Sequence, residues 1–275
     1  MHFFASDLHG HERRYEALFE AVAGERPEAV LLGGDLLPFQ AQEEFVDDLA
    51  GRFGALRSTL GEGYPRVFLI LGNDDPRALE PVFAGYESDG LWFLLHNRCI
   101  ENGAHRLYGY SYIPPTPFML KDWERYDVSH YVDPGCISPE EGFRSTDVEP
   151  NVIRYSTIES DLERLGGDDD LTGAVFLFHA PPYQTKLDRA ALDGQSFDHA
   201  PLDVNVGSIA IKRFIEKRQP LVTLHGHVHE SARLTSHWMD RIGRTILLGA
   251  AHDGPELALI RFDPEHAEQA TRELL

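Results

Sequence analysis

The chain carries 275 residues, 42% of them apolar, enough to bury one large core, and no apolar run approaches the roughly 20 residues of a membrane span. Its 45 acidic residues outnumber 25 basic ones for a formal charge of −20, which repels a nucleic-acid backbone and argues against a non-specific DNA or RNA binder. Cys99 and Cys136 lie far apart without CxxC spacing, so neither a disulfide framework nor a zinc knuckle is expected.

Residues 2–6 are short and apolar and end at a Gly-containing turn that holds Asp7 and His9, so they read as a buried strand. The start lacks the basic residues and long apolar stretch of a signal peptide, and a cytoplasmic protein with reduced thiols is expected. Residues 13–23 then place Leu18, Phe19 and Val22 at helical spacing. The unit repeats: residues 29–32 are strand-like with Asp35 just beyond, and residues 45–60 put Phe45, Leu49, Phe53 and Leu56 on one helical face. Residues 67–71 form an aliphatic run suited to a strand covered on both faces, ending at Asn73, Asp74 and Asp75, with Pro76 placed to open a helix.

Residues 91–112 read as short strands broken at Asn97 and at Asn102-Gly103. Between 113 and 173 prolines interleave with aromatics, which marks a cap or insertion, before a helix over 153–165. Residues 174–178 resume the buried-strand pattern and deliver His179. A polar loop over 184–206 precedes a helix over 209–216 and a strand over 221–224 that runs into His225, His227 and His229. Residues 245–248 and 257–262 read as closing strands, and the polar tail after Pro264 as a surface helix.

Apolar runs therefore end, one after another, on Asp7 and His9, on Asp35, on Asn73, on His179 and on the last histidine cluster. In an α/β core, ligands bind outside the carboxyl ends of the strands, so these side chains are expected at one rim. Carboxylates, an asparagine oxygen and imidazoles suit two divalent ions, Mn2+ or Fe first and Zn2+, Co2+ or Ni2+ as alternatives, rather than Ca2+. With two such ions about 3.5 to 4 Å apart, a bridging water loses its proton near neutral pH and attacks phosphorus. The expected partner is a small phosphate ester.

In order and content these segments resemble the motifs of the calcineurin-like metallophosphoesterases. DxH falls at Asp7 and His9, GDxx(D) at Asp35, GN(H)(D/E) at Asn73, the isolated His at His179, and GHxH at His227 and His229. The resemblance implies a four-layer α/β/β/α sandwich of two mixed β-sheets flanked by helices, and one domain over 1–275. It implies Asp7, His9 and His229 on one metal, Asn73, His179 and His227 on the other, and Asp35 bridging. It implies a metal-dependent phosphoric ester hydrolase. A nuclease, a phosphomonoesterase and a non-catalytic scaffold on the same fold are the competing readings.

Two departures from the family pattern stand out. Leu37 and Pro38 occupy the place of a further acidic residue in the second motif. Asp74 replaces the histidine that the family often uses to contact phosphate or protonate the leaving group, which makes Asp74, with Asp35, a catalytic candidate. An ionised carboxylate there repels a dianionic monoester more than a diester, so a phosphodiesterase is expected. Asp75 is placed to orient a ligand from behind, Arg77 to meet a phosphate or a surface carboxylate, and His11 and His252 to approach the pocket or serve their turns. His225 precedes the GHxH register and reads as structural. Tyr112, Phe118, Trp123, Tyr126 and Tyr131 read mainly as packing of the insertion and secondarily as a ring-binding face.

Overall fold

Each long apolar run divides its side chains between two cores, with period two. Phe4, Leu31, Phe68, Ile70, Leu177 and Leu224 fill one cluster, whereas Phe3, Ala5, Val30, Leu32, Leu69 and Phe176 fill another. Strands buried on both faces in this way need a cover on each side: a second sheet on one, helices on the other.

The computed structural model describes residues 1–275, and its first half alternates strand and helix. The order is β1 His2–Ala5, α1 Glu12–Glu25, β2 Ala29–Gly33, α2 Gln42–Leu60, β3 Arg66–Ile70, α3 Glu80–Glu87 and β4 Phe93–Leu94. The second half runs β5 Cys99–Asn102, β6 His105–Tyr110, α4 Pro150–Tyr155, α5 Ile158–Gly166, β7 Ala174–Phe178, β8 Ser196–Phe197 and β9 Ala200–Pro201. It continues through α6 Ile209–Arg218, β10 Val222–His225, α7 Ser231–Thr235, β11 Met239–Ile242, β12 Thr245–Gly249, β13 Ala258–Phe262 and β14 Thr271–Leu274. No helix is long and apolar enough to cross a membrane.

Two six-stranded mixed sheets result, ordered β14-β13-β1-β2-β3-β4 and β11-β12-β10-β7-β6-β5, which is the expected α/β sandwich. In the first, β1, β2, β3 and β4 are parallel; in the second, β6, β7, β10 and β12 are. Antiparallel strands β14, β11 and β5 close three of the four edges, and the parallel strand β4 is the fourth. Parallel strands send their carboxyl ends to one side, so the loops after β1, β2 and β3 meet those after β7 and β10.

Some local expectations change. The helix read over 153–165 is two helices, because Thr157 is extended and its hydroxyl accepts the Ser160 N–H, a capping box that starts α5 afresh. The tail after Pro264 is a short 3-10 turn followed by β14, not a surface helix: the edge of β13 offers a ladder that a polar segment satisfies with its backbone. The loop over 184–206 carries the small hairpin β8–β9. Within 113–145, Lys121 and Glu124 bury an ion pair completed by Thr116, and Asp127 reaches across to cap the start of α6.

Candidate functional site

The residues after β1, β2 and β10 take strained backbone shapes. Asp7, His9, Asp35 and His227 all have left-handed φ, at 58°, 47°, 52° and 72°. Such conformations cost non-glycine residues free energy and persist only where surrounding bonds hold them, and here these bonds are visible. Asp7 N–H donates to Gly34 O at 3.0 Å, His9 N–H to Asp35 O at 2.8 Å and Gly226 N–H to His179 O at 2.9 Å. Gly72 is obligatory on different grounds: a Cβ there would lie 2.2 Å from Asp35 Oδ1.

These constraints gather the candidate side chains into two groups. Asp7, His9, Asp35 and His229 form one; Asp35, His179 and His227 form the other, with the potential ligand atoms of each lying within 4.8 Å of one another. Asp35 belongs to both. Asn73 joins the second group, its Oδ1 3.1 Å from His179 Nε2. His179 Nε2 lies 3.3 Å from Asp35 Oδ2, and His229 Nε2 lies 3.4 Å from Asp7 Oδ1. Two features suit this donor set to cations: Asp7 Oδ2 is buried without a hydrogen-bond partner, and the Nε2 atoms of His9 and His229 face each other at 3.2 Å.

The electrostatics follow from packing carboxylates and imidazoles together. Burial disfavours the Asp7 and Asp35 charges, yet the neighbouring histidines more than offset it and hold both below the usual carboxylate range. Burial likewise opposes the charge on His179, but Asp35 and Asp7 raise it to about 10, and Asp7 raises His229 to about 9. His227 is lowered to about 3 by burial and by His179, which leaves it neutral. Metal uptake displaces protons from imidazoles of this kind.

The other sequence candidates fall in distinct places. Asp74 sits at the rim with half its side chain exposed; burial and Asp35 raise its pKa. Asp75 is buried and accepts the backbone N–H groups of Gly72, Leu36 and Leu37, so it braces the chain on both sides of the site rather than touching a ligand side chain. Arg77 bonds Tyr112 and Glu80 and lies over the Trp123 ring. His11 is exposed at the start of α1, and His252 pairs with Glu256 at 3.0 Å. His225 is buried with both ring nitrogens engaged, by Ala180 O and Thr223 Oγ1. Of the insertion aromatics, Tyr112, Trp123 and Tyr126 are buried, while Phe118 and Tyr131 are exposed.

Arg14 was not singled out from the sequence. It is buried in α1 and ties the Asp7 carbonyl to that of Gly254, placing a cation behind Asp7. Its spacing with Leu18 and Val22, one and two turns along the apolar stripe, is the signal that marks it.

Comparison with known proteins agrees with this architecture. A two-sheet sandwich with mixed oxygen and nitrogen donors at one rim is an arrangement of metallophosphoesterases. The chain belongs to the calcineurin-like phosphoesterase family, whose model matches residues 3–231. Its fold is similar to the crystal structure of TT1561 from Thermus thermophilus, at 17% identity and TM-score 0.61 over 99% of this chain and 97% of that one. It is also similar to a dimetal phosphatase from Danio rerio, at 12% identity and TM-score 0.51 over 95% and 92% of the two chains. No curated protein matches the sequence.

Proposed function

We propose that this chain is a dinuclear metal-dependent phosphodiesterase acting on a small phosphodiester or nucleotide-like substrate. Asp7, His9 and His229 hold one divalent ion, Asn73, His179 and His227 hold the other, and Asp35 serves both. The observation that carries this reading is that one buried carboxylate, Asp35, belongs to both donor groups. The Danio rerio protein, named a dimetal phosphatase and sharing the fold, lends support.

Bound there, two such ions supply Lewis acidity and activate water near neutral pH. The polypeptide supplies the rest. Strained loops hold the donors in place before any ion arrives, so the ordering cost is met in folding. Asp74 presents a carboxylate at the rim, where its charge opposes a dianionic monoester more than a singly charged diester. Residues 113–173 act as a cap on a single domain. Trp123 donates to Asp75 O at 2.8 Å, and Asp122 accepts the Arg77 N–H at 2.8 Å, which bolts the cap to the third ligand loop.

Turnover of a diester and a monoester with the same leaving group, in Mn2+ and after chelation, tests the reading. A preference for the diester that vanishes on chelation is expected. A monoester preference removes the diester assignment; protein that retains no metal and has no turnover removes the enzyme assignment.

A further inference from the structure

We propose that Asp74 is a positioning residue that sets both metal sites at once by holding one ligand of each. The proposal rests on the dinuclear reading above. Asp74 Oδ1 accepts the Asn73 side-chain N–H at 2.9 Å, Asp74 Oδ2 lies 3.7 Å from His9 Nδ1, and the Asp74 backbone N–H donates to Asp35 Oδ1 at 2.8 Å. One residue thus meets a ligand of the first group, a ligand of the second and the shared carboxylate.

Each contact has a consequence for a donor atom. With its amide nitrogen held by Asp74, Asn73 turns Oδ1 inward, 3.1 Å from His179 Nε2. With Nδ1 toward Asp74, His9 turns Nε2 to His229 Nε2 at 3.2 Å and to Asp35 Oδ2 at 3.9 Å. A carboxylate beside Nδ1 favours the tautomer protonated there and leaves the Nε2 lone pair for a cation. His179 is built the same way, its Nδ1 lying 2.7 Å from Gly33 O. For His9 that part falls to Asp74, whose half-exposed carboxylate places Oδ2 3.7 Å from Nδ1. A histidine at this position has a single acceptor nitrogen and cannot serve both neighbours.

The test is calorimetric Mn2+ titration, with elemental analysis of bound metal, on the full chain and on Asp74→Ala and Asp74→Asn. Each variant is made alone and with His9→Ala, and melting in chelator reports whether each folds. Asp74→Ala is expected to weaken both ions by about tenfold to hundredfold. Asp74→Asn keeps an acceptor for Asn73 but turns an N–H toward His9 Nδ1, which drives the ring proton to Nε2; it weakens one ion only. That loss disappears in the His9→Ala background, because the coupling needs both partners. Two ions bound with unchanged affinity in natively melting Asp74→Ala, or an Asp74→Asn loss undiminished with His9→Ala, overturn the proposal alone. A wild-type chain that takes fewer than two ions overturns the dinuclear reading and this proposal together.

Discussion

The backbone N–H of His227 donates to Asp7 Oδ1 at 3.0 Å, which pins the loop after β10 in the second sheet onto the loop after β1 in the first. The two loops approach closely enough that the residue between His225 and His227 has no room for a side chain. A Cβ at Gly226 would lie 2.0 Å from Ser6 Oγ and 2.7 Å from Asp7 Oδ2.

Gly226→Ala therefore forces the sheets' loops apart. A loss of about 1 to 3 kcal/mol in denaturant unfolding is expected, with weaker Mn2+ binding. An unchanged midpoint with full metal content would mean that the loop shifts freely.

Asp35→Asn is expected to empty both metal sites together, whereas His179→Ala leaves one largely intact. The reason is that Asp35 belongs to both donor groups and His179 to one. Metal counted per chain after dialysis distinguishes them: near zero for the first variant, about one ion for the second. Equal losses would contradict a shared carboxylate.

Asp74→His replaces a carboxylate at the rim by a group that carries no negative charge. The ratio of monoester to diester turnover should rise severalfold, on the order of the effect of one removed charge at a partly exposed site. An unchanged ratio would place selectivity in the pocket walls.

His96, which belongs to neither candidate donor group, gives a separate pH signature. It packs against Tyr110, Tyr112 and Trp123, and its Nδ1 accepts the Ser111 N–H at 3.0 Å, a bond only the neutral ring makes. Burial, with Arg77 and Arg125 nearby, lowers its pKa to about 3. Between pH 6.5 and that value the unfolded chain takes up a proton that the folded chain refuses, so its stabilising contribution is complete above 6.5 and is lost as pH falls. The slope for one proton is at most about 1.4 kcal/mol per pH unit. Urea unfolding of His96→Gln across this window should show a shallower slope than wild type; parallel slopes would mean that His96 titrates normally.

Much of the fold was legible in the sequence where hydrophobic pattern and chemistry coincide. Residues 2–6, 29–32, 67–71 and 174–178 are short apolar runs capped by ligand-type residues, and each is a strand whose loop enters the site. Segments whose pairing is made by backbone alone carried no such mark. β14 and β11 are polar or half-exposed edge strands, held by ladders to β13 and β12, and nothing in their side chains distinguishes them from surface turns. The break between α4 and α5 is marked by the hydroxyls of Thr157 and Ser160, which cap each other's backbone N–H.

The candidate site divides along the same line. Residue type and spacing marked the candidate donors by kind, because carboxylate, amide and imidazole chemistry is written in the residues themselves. Tertiary structure decided which of them meet. Asp7 and His227 are 220 positions apart and become bonded neighbours only because parallel strands from two sheets end at one rim. It also decided the direction in which Asp74 points, toward His9 and Asn73, and the burial of Arg14 behind Asp7. The Asp74–His9 approach and the Arg14–Gly254 bond are consequences of packing, since no local stretch of chain contains both partners.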